Sequence, residues 1–460
     1  MSLSIIVLAA GNGKRMCSGV PKVLHELAGV PMVERVIRTA KSLNPDSIHV
    51  VYGSGGEQVK QTLSHLPVNW IRQEDRLGTG HAVSQALPFC HEDDQVLVLY
   101  GDVPLISYDT LNVLLEQTPE HALGLVIINK DNPAGLGRII RNELGNIIAI
   151  VEEKDANEQE KKITEVNTGI LTTSVRQLNK WLPELKNDNT QNEYYLTDII
   201  SFAVHDGIAV GGVICHCQQE VQGVNDRWQL TTLERFYQLE QARSLAFSGV
   251  KVLDPHRLDI RGHASIGRDT VLDVNVVVEG DVVIGENCII GPNVFLKNVT
   301  LGDDVVIAAN SVVEGAVIED RAVVGPFARI RPETTLGQGV KVGNFVEIKA
   351  TSMAAGSKAS HLSYLGNATL GYGVNIGAGA ITCNYDGVNK WPTVIEDGVF
   401  VGSNTALVAP VTVGKQATIG AGSTITQDVP EGQLTLERNQ QRTISAWQRP
   451  KKKEEASLEA

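Results

Sequence analysis

Aromatic residues and basic charge are both scarce in this sequence. Phe, Trp and Tyr make up 5% of the 460 residues, whereas glycine occurs 44 times. This balance indicates a core built mainly from small and branched aliphatic side chains. The formal net charge is −13, and non-specific binding to nucleic acid depends on basic surface. We therefore expect no nucleic-acid partner, since the only dense basic run, Lys451-Lys452-Lys453, lies in a polar tail.

Long apolar runs and cysteine pairs are missing as well. Residues 4–10 form an apolar run that is too short to cross a bilayer and lacks the basic flank of a signal peptide. A buried first strand is expected there, with no membrane insertion. The six cysteines show no disulfide framework, which indicates reduced thiols and a cytoplasmic location. Cys215-His216-Cys217 is a poor zinc motif, because no second pair of ligands accompanies it.

The first half of the chain alternates strand-like and helix-like segments. Strand candidates are residues 5–10, 48–52, 96–100 and 123–128, and helical patterns between them include 32–43 and 79–86. This alternation predicts an α/β domain with a mostly parallel sheet. Residues 226–247 then have the pattern of a single helix, which Asp226 can cap although the apolar stripe is imperfect. We expect this helix to link two domains.

From residue 266 onward the aliphatic residues recur every six positions. Four runs carry this period: Ile266, Leu272, Val278, Ile284, Ile290 and Leu296; Leu301, Ile307 and Val313; Ile318, Val324, Ile330, Leu336, Val342 and Ile348; Ile395, Val401, Leu407, Val413, Ile419 and Ile425. A solenoid with a short face every six residues has this period. We expect the aliphatic side chains to fill a narrow core and glycines to take the tight corners. The pattern resembles the left-handed β-helix acyltransferases, which implies the hand of the coil.

The six-residue register breaks at residues 349–369, which contain His361, and again at 383–394. An insertion in a solenoid leaves the stack as a loop, and loops on rigid scaffolds often carry function. We therefore expect His361 to lie in a loop outside the solenoid core.

A glycine-rich segment follows the first predicted strand. It consists of Leu8-Ala9-Ala10-Gly11-Asn12-Gly13-Lys14-Arg15-Met16, with Pro21-Lys22 soon after. The spacing matches neither a Walker A loop nor a dinucleotide fingerprint. Glycines after a strand let backbone N–H groups approach a phosphate chain, and Arg15 and Lys22 can neutralise it. An ordinary glycine turn with surface cations is the alternative on spacing alone.

The same segment resembles the sugar-nucleotidyltransferase signature L-x-x-G-x-G-T-R-M followed by P-K. Lys14 stands where that family usually has threonine. Further matches follow in family order: Gln73, Leu77-Gly78-Thr79-Gly80, Tyr100-Gly101-Asp102, Gly137, Glu152, Asn167-Thr168-Gly169 and Asn225. The resemblance implies that Asp102 and Asn225 bind a metal. Mg²⁺ suits these oxygen ligands, while Arg15 and Lys22 would stabilise the leaving pyrophosphate.

Besides His361, the second half of the chain contains other polar residues that could bind a phosphorylated sugar, including Arg331, Lys349 and Tyr364. Histidine titrates near neutrality and can take a proton from an attacking amine. A lone histidine is nevertheless more often a plain surface residue. A zinc site of the γ-carbonic-anhydrase kind would need clustered histidines, and this region has three: His256, His263 and His361.

Together, the two halves resemble the bacterial bifunctional N-acetylglucosamine-1-phosphate uridyltransferases/glucosamine-1-phosphate acetyltransferases over roughly residues 1–440. The resemblance implies an α/β Rossmann-like nucleotidyltransferase domain (1–225), a linker helix (226–249), a left-handed parallel β-helix acetyltransferase domain (250–437) and a tail (438–460). It implies acetyl transfer from acetyl-CoA to glucosamine-1-phosphate. Uridylyl transfer from UTP then gives UDP-N-acetylglucosamine for peptidoglycan and lipopolysaccharide synthesis. The family packs three β-helices side by side, so a homotrimer is expected.

The resemblance also implies roles for individual residues. His361 is the expected general base, with Glu347 assisting it. The residues expected to bind UTP or UDP-N-acetylglucosamine are Leu8, Ala9, Ala10, Gly11, Lys22, Gln73, Gly78, Thr79, Tyr100, Gly101, Asp102, Gly137, Glu152, Asn167 and Asn225. Those expected to bind glucosamine-1-phosphate are Arg331, Lys349, Tyr364 and Asn375. Those expected to contact acetyl-CoA are Ala378, Asn384, Tyr385, Ser403, Ala421 and Arg438.

Two other functions stay open at this point. The first is a single-activity nucleotidyltransferase whose β-helix only assembles or regulates it. The His361 segment and the Asn384-Tyr385 loop argue against it, because a purely structural β-helix does not need them. The second is a non-enzymatic scaffold, which the ordered phosphate and metal motifs of the first half disfavour.

Overall fold

The computed structural model describes residues 2–11, 13–53, 56–438 and 440–449, which divide into two compact units. The first unit contains the described residues up to Ser248, together with Asp254–Ala264 and Val277–Gly280. The second contains Gly249–Leu253, Ser265–Val276 and the described residues from Asp281 onward. Asn12 of the predicted phosphate loop lies outside the described residues, as do 439 and 450–460 of the predicted tail, including its basic run.

A nine-stranded sheet forms the centre of the first unit. The strands of this unit are β1 (Leu3–Ala9), β2 (Glu26–Leu27), β3 (Val30–Pro31), β4 (Ser47–Gly53), β5 (Asn69–Gln73), β6 (Gln95–Tyr100), β7 (Leu123–Asn129), β8 (Arg138–Arg141), β9 (Ile147–Val151), β10 (Glu165–Ser174) and β11 (Val210–Ile214). The order is β11-β7-β10-β6-β1-β4-β5, with β8 pairing to β10 and β9 to β8; β2 and β3 form a separate hairpin. The α/β prediction is confirmed.

The sheet is more mixed than the alternation predicted. β1 is parallel to β4 and β6, but β10 is antiparallel to both of its neighbours, β6 and β7. The excursion through β8 and β9 returns the chain in the opposite direction, so β10 enters between two strands that run the other way. The sheet is still mostly parallel, as predicted, because β10 is the one strand of the path from β11 to β5 that runs against the others.

Helices cover both faces of the sheet. The helices of this unit are α1 (Met32–Ser42), α2 (Glu57–Thr62), α3 (Thr79–Ala86), α4 (Tyr108–Gln117), α5 (Val175–Trp181), α6 (Ile199–His205) and α7 (Arg227–Phe247), of which α1 to α6 cover the sheet. α3, α5 and α6 pack on one face, and α1, α2 and α4 on the other. Alternate residues of β1 serve the two cores: Ile6 belongs to one and Val7 to the other. This double burial explains why β1 is a continuous apolar run.

α7 is the long helix that the sequence predicted after residue 225. Asp226 caps it by accepting a hydrogen bond from the backbone N–H of Gln229 at 2.8 Å. Its buried face consists of Leu233, Gln238 and Ala242. The buried Gln238 bonds both backbone groups of Ile260 at 2.8 Å, which explains the imperfect apolar stripe. The helix and its cap are confirmed.

Short parallel strands stack in register in the hexapeptide region. One column comprises Lys251–Val252, Val271–Leu272, Ile289–Ile290, Val306–Ile307, Val323–Val324, Lys341–Asn344, Lys358–His361, Asn375–Ile376, Phe400–Val401, Thr418–Ile419 and Leu434–Thr435. The remaining strands form a second sheet that wraps two faces: Leu258–Ile266, Val276–Ile284, Phe295–Lys297, Thr300–Leu301, Val312–Glu314, Ala316–Ile318, Arg329–Ile330, Thr334–Leu336, Glu347–Lys349, Ser352–Met353, Tyr364–Gly366, Ala368–Leu370, Ile381–Cys383, Thr393–Ile395, Ala406–Val408, Val411–Val413 and Thr424–Ile425. This is the predicted left-handed parallel β-helix.

The six-residue period does mark the core of this solenoid. Every aliphatic residue of the four runs is buried except Ile266, which is half-buried in the first coil. Glycines occupy corners where coils approach closely. A Cβ on Gly285 would lie 2.5 Å from the backbone oxygen of Gly302 in the next coil, so a side chain there would force the coils apart.

Residues 349–369 do not leave the stack, and the prediction of a His361 loop was wrong. Lys358–His361 is a strand that pairs with Lys341–Asn344 on one side and Asn375–Ile376 on the other. Met353, Ala359 and Leu365 fill the core positions. The period continues there through residues that are not β-branched and through two five-residue steps, from Ile348 to Met353 and from Leu365 to Leu370. His361 itself is exposed at the end of its strand.

The second break, by contrast, does form a loop. Residues 385–392 are exposed and fold back on themselves through a Tyr385–Lys390 bridge. Asp386 accepts hydrogen bonds from the Trp391 indole at 2.7 Å and from the Val388 backbone at 2.8 Å. These donors hold the pKa of Asp386 well below its usual range, and the carboxylate in turn organises the loop.

All six cysteines are unpaired. Within the part of the chain that the structure describes, no helix is long and apolar enough to cross a membrane.

Candidate active sites

The glycine-rich segment after β1 lines a cavity of about 300 Å³ in the first unit. The predicted residues that line it are Leu8, Ala9, Ala10, Gly11, Lys22, Gln73, Gly78, Thr79, Tyr100 and Asp102. Gly101 lies behind the wall, where its N–H donates to Leu8 O at 2.9 Å. The structure also brings Arg76 and Glu193 to this cavity, which the sequence did not single out. The cavity lies where β1 and β6 end, so strand ends position the site.

A second cavity, of about 440 Å³, shares Tyr100 and Asp102 with the first. The predicted residues Arg15, Asn167 and Asn225 line it. Arg15 is thus placed on the side of Asn225, whereas Lys22 lines the first cavity. Two adjoining cavities that share Asp102 can hold two substrates with their reacting groups beside that carboxylate.

Lys22, Asp102 and Asn225 converge where the two cavities meet. The Lys22 ammonium donates to an Asp102 carboxylate oxygen and lies 3.3 Å from Asn225 Oδ1, although 203 residues separate Lys22 from Asn225. Their contact is largely shielded from solvent, with Lys22 and Asp102 side chains 10% and 19% exposed. One cationic group is therefore held by two oxygens of the kind that bind hard metal ions.

Two backbone contacts fix Asn225 beside Asp102. The Val224 N–H donates to Asp102 O at 2.9 Å. The Asn225 N–H donates to Gln229 Oε1 at 2.7 Å, from the first turn of α7. Sequence analysis missed Gln229, although a glutamine three residues after an Asp cap is a known helix-start signal.

A bulge in β10 shapes the wall of the second cavity. The pairing of β10 with β7 shifts register between Asn167 and Leu171, and bulges often re-aim side chains beside active sites. Gly169 lies within this bulge with φ of 88°, and a Cβ there would lie 2.6 Å from the Tyr100 ring. Only glycine fits, which accounts for the Asn167-Thr168-Gly169 motif.

Gly137 and Glu152 lie together near this bulge. The Asn167 N–H donates to Gly137 O at 2.9 Å, and a Cβ on Gly137 would lie 3.5 Å from the Glu152 carboxyl. Burial raises the pKa of Glu152, and the Thr197 hydroxyl opposes this by donating to its carboxylate at 3.0 Å. Burial also raises the pKa of Tyr100, with Glu152 and Asp102 adding to the effect.

The second unit holds His361 by a contact that the sequence did not reveal. His361 Nδ1 lies 3.1 Å from Asn344 Oδ1, the residue directly beneath it one coil earlier. A carbonyl oxygen can only accept, so this contact favours the neutral tautomer in which Nδ1 carries the proton and Nε2 has the lone pair. The arrangement leaves an exposed imidazole with one nitrogen able to take a proton.

Glu347, which is expected to assist His361, pairs with Arg331 at 2.8 Å. Tyr364 lies directly above Glu347 in the next coil. Lys349 ends the same strand as Glu347. The pKa of Lys349 is lowered, first by contact with Lys390 and then by the Arg331 charge. Lys390, from the 385–392 loop, is a cation of this cluster that sequence analysis missed.

The residues expected to contact acetyl-CoA lie in successive coils toward the C-terminus. Ala378, Ser403 and Ala421 each come directly after a corner glycine. Backbone bonds tie these corners: Asn404 N to Ala378 O at 2.8 Å, and Gly422 N to Ser403 O at 2.7 Å. Arg438 reaches over the last corner, within 3.5 Å of a Cβ built on Gly420.

The remaining predicted residues are Asn375, Asn384 and Tyr385. Asn384 is buried and donates to Asn367 Oδ1 at 2.7 Å. Tyr385 is exposed, and its hydroxyl donates to Gly387 O at 2.5 Å within the loop. Asn375 begins the strand next to that of His361, where it pairs with Lys358.

Comparison with known proteins identifies the family. The bifunctional protein GlmU of Coxiella burnetii (strain RSA 493) is 60% identical over 455 residues, covering 99% of this chain and all of that protein. That of Legionella pneumophila (strain Lens) is 55% identical over 459 residues, with the same coverage. The chain belongs to the GlmU family. The recognition made from the motifs, and with it the bifunctional uridyltransferase and acetyltransferase activity, is confirmed.

Family models match both halves of this GlmU chain. A MobA-like NTP transferase domain matches residues 5–165, and six bacterial transferase hexapeptide repeats match residues 392–427. A third model, the GMPPB C-terminal domain, matches residues 260–351. The nucleotidyltransferase and hexapeptide acyltransferase classes therefore stand, and the single-activity and scaffold alternatives fall away.

Proposed function

We propose that the first unit joins UMP from UTP to N-acetylglucosamine-1-phosphate where its two cavities meet. A phosphate oxygen of the sugar phosphate attacks the α-phosphorus, and the bond to the leaving pyrophosphate breaks. The observation that carries this proposal is the convergence of Lys22, Asp102 and Asn225. Such transfer needs positioning and charge neutralisation more than covalent catalysis.

Mg²⁺ fits the oxygens of Asp102 and Asn225. Both already face a single cationic group, the Lys22 ammonium, and Mg²⁺ is commonly bound through few protein oxygens plus substrate phosphates. When bound, the ion would neutralise phosphate charge and orient the triphosphate. Lys22 would then be free to turn from these oxygens toward the phosphates, while Arg15 approaches from the second cavity.

Different walls of the two cavities would bind the nucleotide and the sugar. The backbone of Leu8–Gly11 would follow the triphosphate, with Gly78 and Thr79 beside the nucleoside and Gln73 at the base. Glu152, Gly137, Gly101, Tyr100 and Asn167 would hold the sugar. The buried, hydrogen-bonded Glu152 suits a sugar hydroxyl, because a hydroxyl can donate to it without adding charge.

We propose that the second unit acetylates glucosamine-1-phosphate with acetyl-CoA. The sugar amine would attack the thioester carbonyl directly, with no acyl-enzyme, and His361 Nε2 would take the proton that the amine loses. The C–S bond then breaks, and coenzyme A leaves as its thiolate. Asn344 holds the tautomer that makes this possible. The Arg331, Lys349, Tyr364 and Asn375 group would hold the sugar phosphate, with Glu347 orienting Arg331. Ala378, Asn384, Tyr385, Ser403, Ala421 and Arg438 would contact acetyl-CoA.

The two reactions would run in sequence in the cytoplasm, acetyl transfer first, as a homotrimer built on the β-helix. The unpaired cysteines and the choice of UTP and acetyl-CoA support the location. We assign uridylyl transfer to residues 1–225, a linker to 226–249, acetyl transfer to 250–437 and the tail to 438–460.

One incubation tests the whole proposal. The protein is mixed with glucosamine-1-phosphate, acetyl-CoA, UTP and Mg²⁺, and each component is then left out in turn. UDP-N-acetylglucosamine should form only in the complete mixture. Without Mg²⁺, N-acetylglucosamine-1-phosphate should accumulate, because acetyl transfer needs no metal. Formation of UDP-N-acetylglucosamine in a metal-free mixture would refute the metal assignment, and sedimentation of an active monomer would refute the trimer.

A further inference from the structure

A histidine and two glutamines form a short chain of hydrogen bonds, called the relay below, at the wall of the first cavity. Gln73 Nε2 lies 2.9 Å from His81 Nδ1, and Gln85 Nε2 lies 3.3 Å from His81 Nε2. Gln73 is buried and lines the cavity, whereas His81 and Gln85 are half-buried on α3. His81 and Gln85 thus stand behind Gln73, one step from the proposed base.

The two contacts cannot both be made by amide nitrogens. A neutral imidazole has one donor and one acceptor, so it can accept from only one of the two glutamines. Gln73 Nε2 has a second contact, with the carbonyl oxygen of Gly78 at 3.4 Å, and that oxygen can only accept. Gln73 therefore keeps its nitrogen toward His81 Nδ1.

The rest of the relay follows from this choice. With Nδ1 accepting, His81 Nε2 carries the proton and donates to Gln85. Gln85 must then offer its carbonyl, which a half turn of its nearly isosteric amide provides. The turn gives up the Gln85 Nε2 contact with Ser84 Oγ at 3.4 Å, and the Ser84 hydroxyl, which donates to His81 O at 2.8 Å, can donate to Gln85 instead. The Gln73 amide is held in one orientation, with its nitrogen toward His81 and Gly78. Its Oε1 makes no hydrogen bond among the described residues and is the polar atom left for the cavity.

An acceptor held in this way distinguishes pyrimidines. The one N–H on the edge of uracil is N3–H, because N1 carries the sugar; cytosine has a lone pair at N3. An Oε1 facing N3 accepts from uracil and opposes cytosine, and a site built for one hydrogen bond rejects a partner that leaves it unmade. Thymine has the same N3–H, so this atom does not distinguish dTTP from UTP.

We infer that His81 is a specificity-determining residue, which selects UTP over CTP by holding the Gln73 carbonyl toward the base. The inference rests on the proposed role of Gln73 in base binding. His81 acts through Gln73 and is a positioning residue. Without it, the Gln73 amide can turn and present its N–H₂ to cytosine N3.

The test measures kcat/KM for UTP, CTP and dTTP with N-acetylglucosamine-1-phosphate in the full-length protein. His81→Ala should lower the UTP/CTP ratio about 10- to 100-fold and leave the UTP/dTTP ratio unchanged. His81→Asn, whose Oδ1 offers an acceptor near the Nδ1 position, should keep most of the selectivity. Gln85→Glu, which still accepts from Nε2–H, should keep it as well. Acetyl transfer and melting temperature report on folding.

Two results would overturn the inference, and they differ from failure of the underlying assignment. Retention of the parental UTP/CTP ratio by His81→Ala, when Gln73→Ala loses it, would reject His81 as the selector and keep Gln73 at the base. An equal loss for UTP and CTP in His81→Ala would also reject it, because that indicates a structural role. Retention of the ratio by Gln73→Ala would instead refute the base-binding role of Gln73.

Discussion

The two proposed sites are built in opposite ways. The uridylyl site gathers Lys22, Asp102 and Asn225 from segments up to 203 residues apart. The acetyl site gathers its residues one coil apart: Asn344 holds His361 from 17 residues away, and Arg331 meets Glu347 from 16. The first depends on strand order and connecting segments, while the second depends on a repeat that stacks each coil in register.

The difference bears on how each site tolerates change. Strand ends and the start of α7 together position the uridylyl residues. Loss of one contact should therefore displace a metal-binding residue and disturb the other residues of the site. On the solenoid, the scaffold beneath each residue is rigid and repeated, so loss of one side chain should remove its chemistry and little else. Substitutions at the two sites should therefore differ in how far their effects spread.

Asp102→Ala should reduce uridylyl transfer at least about a thousandfold, because it removes the proposed carboxylate ligand and the Lys22 partner. Acetyl transfer should stay near the parental rate. The two half-reactions are assayed separately on one purified sample. Asp109→Ala, at an exposed aspartate in the first turn of α4, is the matched control. Equal loss of both activities in a folded variant would contradict the division of labour.

His361→Ala should lower acetyl transfer by about 10²–10⁴-fold, the usual contribution of a general base. The side chain is exposed at a strand end, so its truncation leaves no core cavity. Uridylyl transfer should continue when N-acetylglucosamine-1-phosphate is supplied. His256→Ala, another exposed histidine, serves as control, with melting curves for both. An acetyl-transfer rate within about threefold of the parent would reject His361 as the base.

Asn344→Leu should lower kcat for acetyl transfer about tenfold, because the proton on His361 can then move to Nε2 and block the base. Asn344→Asp, which still offers an acceptor to Nδ1–H, should recover most of the rate. A steady-state assay of acetyl transfer distinguishes the two. If both variants lose activity equally, the tautomer argument fails.

Gln229→Leu should raise the Mg²⁺ concentration for half-maximal uridylyl transfer several-fold, because Asn225 loses the acceptor for its backbone N–H. Gln229→Glu keeps a carboxyl oxygen there and should behave like the parent. Binding of Mn²⁺, followed by electron paramagnetic resonance without turnover, gives a second measure. Unchanged metal affinity in Gln229→Leu would show that Asn225 is held by other contacts.

Several features of the site could be predicted from the sequence, and others could not. The order of the motifs matched Gln73, Asp102 and Asn225 to the sugar-nucleotidyltransferase family. In the structure, each of these residues lines one or both of the two cavities. The antiparallel pairing of β10 could not be predicted, because the alternation of strand-like and helix-like segments gave no sign of the β8–β9 excursion that reverses the chain before β10. The hydrogen bonds from Gln73 to His81 and from His81 to Gln85 could not be predicted either, since His81 and Gln85 matched no motif.

The amino-acid pattern alone shows that an α/β domain is followed by a solenoid. A narrow solenoid core admits one inward side chain every six residues, so the period and the corner glycines must appear in the chain. The tertiary structure decided where the chemistry lies. His361 belongs to a stacked strand because Met353, Ala359 and Leu365 fill the core as well as β-branched residues do. The convergence on Lys22 and the contact between Asn344 and His361 arise when distant segments are packed together, and no local pattern encodes them.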